Sequence, residues 1–92
     1  MDSGHMDTRQ TIRKFIRENF LKEDRQKNFH DGISFIDGGI IDSVGILELV
    51  AFLEETFGLR VEDEELIPEN LDSVDQLVTF VELKLALPNR KI

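Results

Sequence analysis

Two serines stand in the same tripeptide, Asp42-Ser43-Val44 and Asp72-Ser73-Val74, each where a loop gives way to a helical apolar pattern. A serine at a helix N-terminus presents its hydroxyl beside free backbone N–H groups and the positive end of the helix dipole. A phosphodiester formed there is electrostatically favoured. The other reading of either site is an N-cap, worth about 1 kcal/mol. The two serines differ in their surroundings. Ser73 is followed three residues later by Gln76, the pattern of a capping box. Ser43 has Ile46 at that position, and Asp42 has Gly45. Ser73 therefore reads as structural, and Ser43, preceded by Gly39-Ile40-Ile41-Asp42, is the candidate phosphate anchor.

Little else in the chain could do chemistry. With no cysteine there is no disulfide, thiolate nucleophile or cysteine-ligated metal site. Of the two histidines, His5 lies in the opening MDSGHM and His30 in a polar stretch between Phe29 and Asp31 without a second ligand. Neither a metal site nor catalytic residues are expected: a hydrolase built on Ser43 would have only His30 as its base. The net charge of −8 is unevenly placed. Residues 42–75 hold eleven of the nineteen acidic residues and Arg60 as their one base, while residues 1–41 are balanced. That field repels nucleic-acid phosphates and attracts basic protein surfaces, or else serves as a solvated face that keeps the chain in solution.

The elements that must position Ser43 follow from periodicity. Over residues 8–21, Ile12, Phe15, Ile16 and Phe20 recur at spacings of three and four between charged residues, which predicts an amphipathic helix. The period lapses over 22–42, where Gly32, Gly38 and Gly39 punctuate a long loop whose Phe29, Ile33, Phe35, Ile36, Ile40 and Ile41 should tuck onto the core. The strongest helix spans 43–57, with Ile46, Leu49, Val50, Leu53 and Phe57 as its core stripe and Gly58 as a left-handed cap. A second apolar line on it, Val44, Leu47 and Ala51, is left for a contact surface. A short helix is expected over 62–67, ended by Pro68, and a last helix over 73–87 burying Val74, Leu77, Val78, Val81 and Leu85 before Pro88. Strand-like alternation is missing. Ninety-two residues with 40% apolar content suit one small domain. The expectation is an all-α, four-helix bundle: three main helices plus a short third one, with a long loop between helices one and two. Residues 1–6 read as an expression-tag remnant, 7–88 as the domain and 89–92 as a frayed tail. No apolar run approaches the roughly 20 residues that cross a bilayer, and a cytoplasmic monomer with no membrane or nucleic-acid partner is expected.

The sequence Gly39-Ile40-Ile41-Asp42-Ser43-Val44, continued by Glu48-Leu49-Val50-Ala51-Phe52-Leu53-Glu54-Glu55-Thr56-Phe57-Gly58, resembles the acyl carrier and peptidyl carrier protein family. Members place Asp-Ser-(Leu, Val or Met) at the start of the second helix of a four-helix bundle, after a long first loop. The likeness runs from about Thr8 to Leu87. It implies that Ser43, beside Asp42, is esterified by the 4'-phosphopantetheine of coenzyme A. The arm's thiol would then carry acyl or aminoacyl groups as thioesters, in fatty acid, polyketide, nonribosomal peptide or other specialised biosynthesis. The resemblance implies a non-catalytic carrier, itself the substrate of a phosphopantetheinyl transferase. Its other partners would be a loading ligase and downstream enzymes with basic docking surfaces. Matching recognition positions are Asp42, Val44, Leu47, Glu48, Ala51, Glu54 and Glu55, with Val61 and Glu62 near the third helix. One departure is Gly45, where many fatty-acid carriers have an acidic residue; a helical glycine costs about 1 kcal/mol against alanine, so a steric reason is expected. With the dibasic Arg90-Lys91 it points to a stand-alone carrier of a specialised pathway, its cargo undecided. The competing class is an unmodified acidic helical adaptor that binds a basic partner through Val44, Leu47, Ala51 and the flanking glutamates.

Overall fold

The first helix, α1 (Thr8–Phe20), begins where the Asp7 carboxylate accepts the Gln10 N–H and ends at Leu21 in extended backbone. In this computed structural model, residues 7–21 and 29–86 are described. The tag-like opening, 22–28 of the loop, Leu87, Pro88 and the tail lie outside the described residues. The remaining helices are α2 (Ser43–Phe57), α3 (Pro68–Leu71) and α4 (Val74–Ala86), with a 3-10 turn at Asp63–Glu65. Among the described residues there is no strand, and no helix is long and apolar enough to cross a membrane. The fold is the small all-α bundle that the periodicity predicts.

Ile12 and Ile16 of α1, Leu49 and Leu53 of α2, Leu71 of α3 and Val74, Leu77 and Val81 of α4 meet in one core. Phe35 and Ile41 of the long loop join them, both buried. The loop's apolar residues tuck inward only in part: Phe29 and Ile40 pack at the margin, whereas Ile36, expected on the core, is 50% exposed. Each large side chain so buried contributes about 1.5–3 kcal/mol relative to exposure. Phe15 of α1 stacks on Phe52 of α2, centroids 3.9 Å apart and planes at 12°, which joins the two helices through their side chains.

Two further expectations need correction. Pro68 does not end a helix over 62–67; it occupies the first turn of α3, where its missing N–H and fixed φ cost nothing. The preceding segment closes instead as the tighter 3-10 turn, held by Glu65 N–H to Glu62 O at 2.9 Å. On α4, Leu85 is 44% exposed rather than buried, and Phe80, 6% exposed, joins the core in its stead. The helix packs against both α1 and α3, which widens its apolar face to take Phe80, while Leu83 and Leu85 near its end stay exposed.

Candidate functional site

Asp42, in extended backbone, starts α2 by accepting the Gly45 N–H on its carboxylate at 2.9 Å and the Ile46 N–H on its carbonyl at 3.0 Å. Asp42 is therefore the cap, and Ser43 the first helical residue. The Ser43 side chain is exposed and makes no hydrogen bond among the described residues. Ser73 is its opposite. It is 6% exposed, and its Oγ accepts the Gln76 N–H at 3.1 Å. The Gln76 amide oxygen reaches back to the Asp72 N–H at 2.9 Å, one residue short of the usual capping-box partner. Identical tripeptides thus hold one hydroxyl inside the fold and one outside it.

The approach to Ser43 is held by backbone hydrogen bonds. Gly39 takes a positive φ of 68° that a side chain would resist, turning the chain back so that the Ile40 and Ile41 N–H groups both donate to the Phe35 carbonyl, at 2.8 and 3.3 Å. Ile41 is buried one residue before the cap. Gly45 has the steric reason its cost demands: a β-carbon there would meet Ile41 and the Phe20 ring. Gly58 closes α2 at φ 66°, its N–H on the Glu54 carbonyl.

Along α2, Val44 is 68% and Leu47 62% exposed, and Ala51, Glu48 and Glu55 are exposed beside them. These form one continuous face starting at Ser43. Two other sequence-derived candidates differ. Glu54 is half-buried, and its carboxylate accepts the Val61 N–H at 2.8 Å; Val61 itself packs against the core. Glu62 is exposed at the start of the 3-10 turn, its N–H donating to Glu65.

The acidity of the middle region divides in the same way. Five of its eleven acids are tied into the fold by a helix cap or by contacts between elements, and Glu62 adds a local capping box with Glu65. Asp42 caps α2, Glu54 holds Val61, Glu65 pairs with Lys84, Asp72 binds Ser34 and Ile36, and Asp75 pairs with Arg9. The other six, Glu48, Glu55, Glu62, Asp63, Glu64 and Glu69, are all exposed. The negative field outside this part of the fold comes mainly from these. Arg9 bridges Asp31 and Asp75 at 2.6 and 2.7 Å, joining α1 to the loop and α4. Arg13 Nε comes to 3.4 Å from Asp31 Oδ1 without hydrogen-bond geometry, so that pair adds little.

Ile46, one turn beyond Ser43, lines an apolar cleft of about 130 Å³ with Ile36, Leu66, Ile67, Pro68, Leu71 and Asp72. The sequence gives no hint of it, because its walls come from three separate stretches of chain: the long loop, α2 and residues 66–72. Among the described residues no group of His, Asp or Glu side chains is arranged to hold a metal ion.

No family model matches the chain. Individual proteins do. It is 37% identical over 73 residues to an acyl carrier protein of Buchnera aphidicola subsp. Acyrthosiphon pisum, covering 79% of this chain and 86% of that one. It is 29% identical over 76 residues to a D-alanyl carrier protein of Streptococcus suis, covering 83% and 92%. With a D-alanyl carrier protein of Abiotrophia defectiva it shares 30% over 54 residues, 59% of this chain and 68% of the relative. A helical bundle with an outward serine at the start of its second helix, matched over most of its length by such relatives, belongs to the acyl carrier protein family.

Proposed function

We propose that Ser43 is the attachment point of a 4'-phosphopantetheine arm on which this carrier holds an acyl group as a thioester. The observation that carries the reading is the contrast between the two serines. The Ser43 hydroxyl is exposed and has no hydrogen-bond partner among the described residues, whereas Ser73 is buried and its hydroxyl is committed to its helix. In the transfer, the Ser43 oxygen loses its proton and bonds to the phosphorus next to pantetheine in coenzyme A. The pyrophosphate bond breaks, and the adenosine bisphosphate leaves with the electron pair. The residues fit the group: the serine is accessible, and Asp42 takes the Gly45 N–H without occupying the Ser43 hydroxyl. When attached, the arm would supply the thiol that this cysteine-free chain lacks. The protein supplies a fixed anchor and a surface for partners.

That surface is the α2 face of Val44, Leu47 and Ala51 edged by Glu48 and Glu55, facing basic enzymes. Exposed charge pairs are individually weak and act mainly on association rate, so docking is transient and salt-sensitive. An aliphatic acyl passenger is favoured over a D-alanyl one by the cleft beside α2, apolar but for Asp72, whose two carboxylate oxygens are taken by Ser34 and Ile36, so that an aminoacyl ammonium would lose hydration there.

Intact-mass analysis after incubation with coenzyme A and a broad-specificity phosphopantetheinyl transferase tests the reading. A gain of one phosphopantetheine that disappears in Ser43→Ala is expected. No gain, or a gain that survives Ser43→Ala, refutes it and leaves the acidic adaptor, whose partner binding would ignore both coenzyme A and Ser43. Loading the modified chain with a panel of acyl and aminoacyl groups then identifies the passenger.

A further inference from the structure

A relay of hydrogen bonds runs from the junction between α3 and α4 to Ile41, two residues before Ser43. Asp72 sits at that junction, its N–H on the Pro68 carbonyl at 3.1 Å and on the Gln76 side chain at 2.9 Å. All three of its oxygens turn toward one short piece of the long loop. The carbonyl accepts the Phe35 N–H at 2.7 Å, Oδ1 accepts the Ile36 N–H at 3.0 Å, and Oδ2 accepts the Ser34 hydroxyl at 2.5 Å. Ser34 Oγ also accepts the Asp37 N–H at 3.0 Å. Phe35, fully buried and thus fixed, offers its carbonyl to Ile40 and Ile41, and Asp42 and Ser43 follow directly.

We infer that Asp72 is a positioning residue for Ser43. Its carboxylate spans a separation of 36 to 38 residues to fix the turn that decides where α2 begins and which way its first hydroxyl points. This is a different use of acidity from the exposed carboxylates on α2: Asp72 acts inward, through Ile36, Phe35 and Ile41. Charge-assisted hydrogen bonds of this kind are about twice as strong as neutral ones, so removing the carboxylate loosens the turn more than any single loop residue would. The inference rests on the reading of Ser43 as the attachment point, but its structural half can be measured without it.

The test uses the full chain as Asp72→Ala, Asp72→Asn and Ser34→Ala, followed by amide hydrogen exchange and by modification kinetics with coenzyme A and a broad-specificity transferase. Asp72→Ala should cut exchange protection at Ile36, Ile40 and Ile41 by about tenfold while Val78 and Val81 in α4 keep theirs. Modification should slow several-fold through kcat with KM unchanged, because the docking face of α2 is intact. Asp72→Asn retains an oxygen for Ile36 and an amide that can donate to the Ser34 hydroxyl, and should restore most of both effects. Ser34→Ala, the milder change should Asp72→Ala not fold, should show the same pattern at smaller size. Unchanged protection at Ile40 and Ile41, or an equal loss throughout the chain, overturns the inference. So does normal modification of Asp72→Ala. A wild-type chain that is never modified refutes the carrier reading instead, and the exchange pattern alone then decides whether Asp72 governs the turn.

Discussion

Ile41 stands so close to Gly45 that a β-carbon added to the glycine would lie 2.8 Å from Ile41 Cγ2, and 3.0 Å from the Phe20 ring as well. Ile41 is buried and β-branched, so its methyl has nowhere to swing. Replacing Gly45 by alanine gains helix propensity of about 1 kcal/mol, against a typical overpacking cost of about 1–3 kcal/mol. Gly45→Ala should therefore be net destabilising, by about 1 kcal/mol in urea unfolding. Gly45→Asp should lose more, since its carboxylate would also be driven into an apolar contact.

Asp42 carries both a cap and a charge, and two substitutions separate them. Asp42→Ala leaves the Gly45 N–H without its acceptor and should lower stability by about 1 kcal/mol. Asp42→Asn keeps an oxygen in place and should stay within about 0.5 kcal/mol of the parent. If its charge helps steer basic partners, Asp42→Asn should still slow modification of Ser43 at low salt, with the difference fading as salt is raised.

What could be read from the sequence was what local pattern determines. The stripes of α1 and α2, the left-handed cap at Gly58 and the contrast between Ser43 and Ser73 all depend on neighbours within four residues. Pro68 was legible as a break, but the same fixed φ that ends one helix suits the first turn of another, and only the tertiary course of the chain decides between them. Glu54 and Asp72 look like ordinary surface acids in sequence. Their partners, Val61, Ser34 and Ile36, are set by how loops return to the bundle, which no periodicity encodes.

Ser73 should behave as a structural residue. Its Oγ holds the Gln76 N–H, and Gln76 in turn holds Asp72. Ser73→Ala should cost about 1 kcal/mol of stability, seen as a lower urea midpoint with an unchanged slope. Modification of the folded variant should proceed at the parental rate; its loss would mean that the wrong serine had been assigned.

Glu65 ties the 3-10 turn to α4 through Lys84, at 2.8 and 3.0 Å. Burial pushes the Glu65 carboxyl up, but the Glu62 N–H and the Lys84 ammonium together outweigh it, so the group lies below its ordinary value. A depressed carboxyl stabilises the folded chain in full above its unfolded value, about 4.3, and that contribution is lost as pH falls through the lower folded value. Lys84→Met, which keeps the packed stem, should weaken the chain by about 1 kcal/mol at neutral pH and narrow its gap to the parent on acidification, in urea titrations from about pH 7 to 3.

The glutamates of α2 should fall into two groups. Glu54→Ala strands the Val61 N–H beside the core and should cost about 1–2 kcal/mol, whereas Glu54→Gln preserves an acceptor and should recover most of it. Glu48→Gln and Glu55→Gln touch only exposed positions, so each should leave stability within about 0.5 kcal/mol. Their effect should lie in recognition instead: the double variant should associate more slowly with a basic transferase at low salt, and converge with the parent above the ionic strength at which surface charges are screened. Equal stability losses for all three glutamates would mean that α2 presents no free acidic face. A docking defect confined to Glu54 would place the partner nearer the 3-10 turn than to Val44 and Leu47.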